Sequence, residues 1–224
     1  MSVLVFSDAQ TAATAAATLL AGQLIEKPSL VLGVDCAPAL VPTFQSLGAM
    51  TANGLLSWGK ATVFQLSERV REEEGQGSLR AFMDGALYSE LAMNEAQVLV
   101  PDDVSANWAD SCHGFEDAIL QAGGMDVVLL TVGPDGSLLF NAPEEGIAPT
   151  THVELYNGEK IVTAGLSTLM SAKKLIVLMT GADMAETART AIRGAVNTSL
   201  PASMLQLHAA ATFLLDEEAA SLLG

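Results

Sequence analysis

Apolar residues follow two rhythms along this chain. Short unbroken runs recur, and between them apolar positions return every three or four residues. An unbroken run is the pattern of a strand covered on both faces, and the wider spacing is that of a helix with one buried side. Runs at 3–6, 29–34, 62–66, 127–132, 175–180 and 211–215 predict buried strands, the most continuous being Val127-Val128-Leu129-Leu130-Thr131-Val132. A short strand is expected at 97–100, and two more at 152–155 and 160–162 around the turn Asn157-Gly158. An Ala-rich helix follows the first strand, capped by Ser7 or Asp8 and running to about Leu24. Further helices are predicted at 38–50, 79–91, 108–121, 168–173, 185–192 and 217–223. Gly123-Gly124 and Gly194 close two of them. Residues 71–77, Arg-Glu-Glu-Glu-Gly-Gln-Gly, read as an exposed loop.

Strands alternating with helices imply an α/β fold, a mostly parallel sheet with helices on both faces. Such sheets keep their sites at the carboxyl ends of the strands. The stretch DVVLLTVGPDGSLLFNAP, 126–143, therefore stands out. Its buried strand breaks at Gly133-Pro134-Asp135-Gly136 and puts a carboxylate at the sheet's mouth.

The 224 residues suit one large domain, and no linker divides them; half are hydrophobic, ample for a core. No apolar run reaches the roughly 18–20 residues that span a bilayer. The start lacks a basic segment and carries Asp8, which speaks against a secretory leader and for the cytoplasm. A net charge of −16, with only ten Lys and Arg, opposes binding to nucleic acid or anionic membrane. Cys36 and Cys112 form no pairing pattern, and His113, His152 and His208 have no metal-ligand spacing. Neither a metal nor a cofactor is expected.

Three stretches resemble the glucosamine-6-phosphate deaminase family. Residues 126–143 match its GxGxDGHIxFNEP segment. Residues 115–136, FEDAILQAGGMDVVLLTVGPDG, are similarly close. Residues 175–220, with Pro201-Ala202-Ser203, Leu205-Gln206-Leu207-His208 and Asp216-Glu217, follow the family's last third in order. The resemblance covers nearly the whole chain, with the tract after Pro143 shortened, and implies a three-layer, Rossmann-like domain over 1–224. A wider kinship takes in 6-phosphogluconolactonases and the sugar-binding domains of some bacterial regulators. The last are disfavoured by the charge and by the lack of an N-terminal helix-turn-helix.

The resemblance implies isomerisation of an amino-sugar phosphate with loss of ammonia. A carboxylate must move a proton, a His must open the ring, and amides with a cation must hold the phosphate. Position by position, this chain departs from that set. The proton-moving Asp falls at Ser67. Glu68 is retained beside it and, facing the other way on a strand, reads as a substitute base or a rim carboxylate. Asp135 is retained, as a substrate neighbour or a turn residue; the ring-opening His falls at Ser137. Asn141 and Pro143 of the FNEP motif remain around Ala142, and Gly133 and Gly136 frame the loop. The phosphate loop corresponds to Gly33-Val34-Asp35-Cys36-Ala37-Pro38. There Asp35, if turned inward at ~4 Å and an effective dielectric of ~20, would oppose a phosphate by roughly 4 kcal/mol per charge pair. The cationic position after the late strand is Met184. His152 is a candidate stand-in near the cleft, His208 reads as structural, and Cys36 is either a helix-start thiol or a small filler.

Two functions therefore compete: a deaminase-like enzyme with an altered, inactive or rearranged site, and a non-catalytic binder of a sugar-like ligand on the same fold. Lactone hydrolysis is a third reading, which Ser137 weakens equally. The expected partner is a small sugar or sugar phosphate, and a homo-oligomer is left open.

Overall fold

The buried runs assemble into a seven-stranded, all-parallel sheet, with a small antiparallel sheet beside it. The computed structural model describes residues 1–71, 77–143 and 147–224. In chain order the strands are β1 (Ser2–Phe6), β2 (Val31–Val34), β3 (Thr62–Gln65), β4 (Ser67–Arg69), β5 (Val98–Leu99), β6 (Val127–Thr131), β7 (His152–Tyr156), β8 (Glu159–Thr163), β9 (Lys174–Met179) and β10 (Ala211–Asp216). The large sheet runs β1-β10-β9-β6-β2-β3-β5, and the small one β4-β8-β7.

Alternate residues of each central strand point to opposite faces, so a run apolar at every position feeds two cores. Leu32, Val34, Leu129, Ile176 and Leu178 pack on one side, beneath α1 (Ala9–Glu26), α2 (Val41–Ala52) and α3 (Leu79–Met83). Val128, Leu130, Leu175, Val177 and Phe213 pack on the other, beneath α4 (Trp108–Gln121), α5 (Leu166–Met170), α6 (Ala185–Arg193) and α7 (Glu217–Ala220). Asp8 caps α1 by accepting the Thr11 N–H at 2.7 Å. At the amino ends of the strands, Asp126 accepts from Val31 N at 2.9 Å, Lys27 Nζ at 2.6 Å and Lys173 Nζ at 2.7 Å.

Several expectations are corrected. The strand expected at 62–66 is present as β3, but the separate strand β4 that follows it was not expected. β3 ends at Gln65 in the large sheet, and β4 leaves to pair antiparallel with β8. The β7–β8 hairpin supplies the open edge that β4 fills. Its turn has Asn157 at φ 51° and Gly158 at φ 84°, the left-handed pair that a two-residue hairpin requires. The helix expected at 79–91 is α3 followed by one wider turn over Asp84–Tyr88, and α2 is preceded by a tight turn at Pro38–Leu40. Within the expected loop at 71–77, residues 72–76 lie outside the described residues, as do 144–146 in the shortened tract after Pro143. Among the described residues, no helix is long and apolar enough to cross a membrane.

Candidate functional site

Chain order along the large sheet reverses between β2 and β6. After β2 the chain moves to β3 and β5, and after β6 it moves to β9 and β10. The two connections diverge and leave a crevice at the carboxyl ends, the place where open α/β sheets bind ligands. A cleft of about 500 Å³ lies there. Its floor is the loop after β2, one wall is the loop after β6 together with Thr180, Asp183 and Met184 after β9, and the other is Leu79 and Phe82 from α3. Phe140 and Tyr156 stand edge to face at 5.1 Å and form an aromatic rim.

Asp35 is the first residue beyond β2 and is only 4% exposed. Its N–H continues the ladder to Leu129 O at 3.0 Å. In an unbroken parallel ladder the Thr131 N–H would next reach the Asp35 carbonyl. Here the strands splay, and Thr131 N donates instead to the Asp35 side chain, Oδ2, at 3.2 Å. The amides of Cys36 and Ala37 lie close to this carboxylate and also favour its ionised form. Burial outweighs these interactions and pushes the Asp35 carboxyl up to about 6. Cys36 is buried beside it, donating its Sγ–H to Ser67 O at 3.6 Å. Burial, with Asp35 and Glu68 adding to it, raises the thiol well above its ordinary range, so Cys36 is a filler and no nucleophile.

Behind this floor lies a buried polar network. Ser67 shares a 2.9 Å hydrogen bond with Thr163 across the β4–β8 pair. Glu68 faces away from it and accepts the N–H groups of Arg69, Leu79 and Arg80, each at 2.7 Å. Gln65 Nε2 also donates to Glu68 at 3.2 Å, and Gln65 Oε1 accepts from Tyr88 OH at 3.1 Å. Glu68 is thus the anchor of α3, not a rim carboxylate, because its oxygens are consumed by backbone donors.

The loop after β6 is closed by Gly133 N to Ser137 O at 3.0 Å and Gly136 N to Gly133 O at 2.9 Å. Asp135 sits exposed at its tip and accepts the Ser137 N–H at 3.0 Å, the behaviour of a turn residue. Gly136 has φ 85°, and a Cβ there would lie 2.1 Å from Leu200 Cδ1, so only glycine fits. Asn141 is buried and donates Nδ2 to Leu138 O and Ala164 O, both at 2.9 Å, which pins the loop to the end of β8. On the far wall, Gly181 at φ 95° is held by Asp216, the cap of α7, through its N–H at 3.0 Å.

The family model described as glucosamine-6-phosphate isomerases/6-phosphogluconolactonase matches residues 8–214. The chain belongs to this family. It is similar to the glucosamine-6-phosphate deaminase of Shewanella loihica, 33% identical over 242 residues and covering 100% of this chain and 90% of the relative. It is also similar to that of Halothermothrix orenii, 30% identical and covering 100% of both. A solved monomeric glucosamine-6-phosphate deaminase superposes with a TM-score of 0.93 at 26% identity, covering 99% of this chain and 100% of that one. A 6-phosphogluconolactonase of Trypanosoma brucei, at TM-score 0.80 and 19% identity over 100% of this chain and 98% of that one, shares the fold.

Within this deaminase and lactonase family fold, the cleft gathers Asp35, Cys36, Ala37, Gly133, Ser137 and Met184 of the expected residues. The others do not line it. Ser67 and Glu68 lie behind the floor, Asp135 is at the loop tip, and Gly136 and Asn141 shape that loop. Gly33 lies inside β2, where a Cβ would meet Met125 Sδ at 2.5 Å, so it serves packing. His152 is also turned from the cleft, with Nδ1 at 3.0 Å from Thr150 O and Nε2 at 3.2 Å from Glu154. His208 is structural, with Nε2 at 2.8 Å from Ala172 O. Sequence reasoning missed Thr131, Asp183, Phe82, Phe140 and Tyr156. For Asp183 a signal was present, its place between Gly181 and Met184 after a buried strand; the aromatic rim had none, since one ring comes from the loop after β6 and the other from the end of β7.

Proposed function

We propose that this chain is a carbohydrate-recognising member of its family whose cleft holds a sugar-like ligand without performing the deamination of an amino-sugar phosphate. One observation carries this reading. Among the described residues that line the cleft there is no Lys, Arg or His, and the charged ones are Asp35 and Asp183. Residues 72–76 and 144–146, Glu-Glu-Glu-Gly-Gln and Glu-Glu-Gly, contain no basic residue in sequence either. Two arginines nearby are engaged elsewhere: Arg80 with Asp84 at 2.8 Å and over the Tyr88 ring, Arg69 with Gly77 O at 2.7 Å. A phosphate in this cleft would meet carboxylates in place of cations. A hydroxyl at Ser137 and a thioether at Met184 cannot supply the proton transfer and charge that the resemblance requires. We place the protein in the cytoplasm, in keeping with its two free, buried cysteines.

A second reading, an enzyme with a rearranged site, is favoured by Asp35. A buried carboxyl near 6 at a switch point is in the range of a general base. Against it, the Thr131 N–H already donates to that carboxylate, and the amides of Cys36 and Ala37 lie close to it. A coupled assay for ammonia and fructose 6-phosphate from glucosamine 6-phosphate tests the choice. Wild type is expected to show no turnover above a Ser137→Ala control, nor lactonase activity on 6-phosphogluconolactone. Turnover lost in Ser137→Ala returns the chain to the enzymes.

A further inference from the structure

The splayed ends of β2 and β6 leave backbone N–H groups pointing into one small space, a natural cradle for an anion. That space is already filled. The Asp35 carboxylate takes the Thr131 N–H at 3.2 Å, with the amides of Cys36 and Ala37 close beside it and favouring its charge. It is 4% exposed and lies in the floor of the cleft. No flexible side chain could do this from afar; Asp35 does so because it is the last residue of the ladder, where the shortest carboxylate reaches the amides of its neighbours. The exposed carboxylate of Asp183 lines the same cleft, as do the edge-to-face rings of Phe140 and Tyr156.

We propose that Asp35 is a built-in anion that fills the amide cradle, so that the cleft excludes phosphorylated compounds and takes an unphosphorylated small ligand bearing a protonated amine. This rests on the reading of a binding cleft given above and specifies its ligand. Two carboxylates attract the ammonium group, and the aromatic rim adds a surface for the cation or an apolar ring face.

The test is a set of titrations at constant ionic strength and neutral pH, read by calorimetry and thermal shift. Wild type is expected to bind D-glucosamine more tightly than D-glucose, and to bind neither inorganic phosphate nor glucosamine 6-phosphate. Asp35→Ser empties the cradle of its own anion. It is expected to gain phosphate affinity by at least about tenfold and to weaken for D-glucosamine. Asp35→Ala, which likewise removes the carboxylate from the cradle, carries the same expectation if the Ser variant does not fold. Phosphate binding equal in wild type and variants overturns the proposal, as does wild-type binding of D-glucose equal to that of D-glucosamine, or of neither. Turnover of glucosamine 6-phosphate by wild type instead defeats the functional reading, while the phosphate titration of the variants still decides whether Asp35 blocks the cradle.

Discussion

Two buried carboxylates illustrate how position decides charge in this chain. At Asp126, burial opposes ionisation, but Lys173, Lys27 and the Val31 N–H overcome it and hold the carboxyl below its usual range. Its contribution to stability is present above 3.8 and is lost as acidification passes its lower folded pKa. At Asp35 burial wins, and the carboxyl rises from 3.8 to about 6. The folded protein therefore keeps a proton that the unfolded chain has lost, and stability falls as pH rises through that window, then levels. Asp35→Asn is expected to remove this fall. Its stability relative to wild type should rise by about 3 kcal/mol between pH ~3 and ~7 in urea denaturation. Parallel curves for the two proteins would show that Asp35 is not desolvated. Sequence alone identified Asp35 as an acidic residue in a loop meant for an anion. It could not show that Thr131, 96 residues away, supplies the amide that fixes its direction.

The elements around the cleft depend on single side chains for their ends. A helix as short as α3, Leu79–Met83, has no stability of its own. Glu68 provides acceptors for its free N–H groups from another element, β4, and ties the small sheet to the cleft wall. Removing it leaves buried donors unpaired. Glu68→Ala is expected to cost about 3 kcal/mol in chemical denaturation, with Glu68→Gln recovering part. A cost below about 1 kcal/mol would deny the anchoring role. From sequence, Glu68 read as a substitute base or a rim carboxylate. Ser67 and Glu68 do face opposite ways, but the partner on the Glu68 face, α3, comes from beyond the next loop. Likewise the 3.6-residue rhythm of α4 was legible to the residue, because its buried stripe is continuous, Phe115 and Ile119 facing the second core and Cys112 packing with Val70 and Val162. The break between β3 and β4 was not legible, because both halves are buried and apolar periodicity cannot tell which sheet buries them.

The whole molecule carries −16, and its ten basic residues are spread around the fold with none lining the cleft among the described residues. Like charges on a folded surface repel more than on an expanded chain, and salt relieves this within a Debye length of about 10 Å at 0.1 M. Thermal stability is thus expected to rise between about 20 mM and about 500 mM NaCl in scanning calorimetry, as repulsion is screened. A Tm that stays level or falls would mean that the attractive pairs outweigh it. At this scale the sequence by itself determined the layered α/β architecture and the family, since strand and helix rhythms are local and an uninterrupted apolar run can be satisfied only between two covering layers. The tertiary structure alone decided what the cleft is. Its floor, walls and rim come from separate segments spread between residues 35 and 184, and the direction of a carboxylate depends on which distant amide meets it once the strands have splayed.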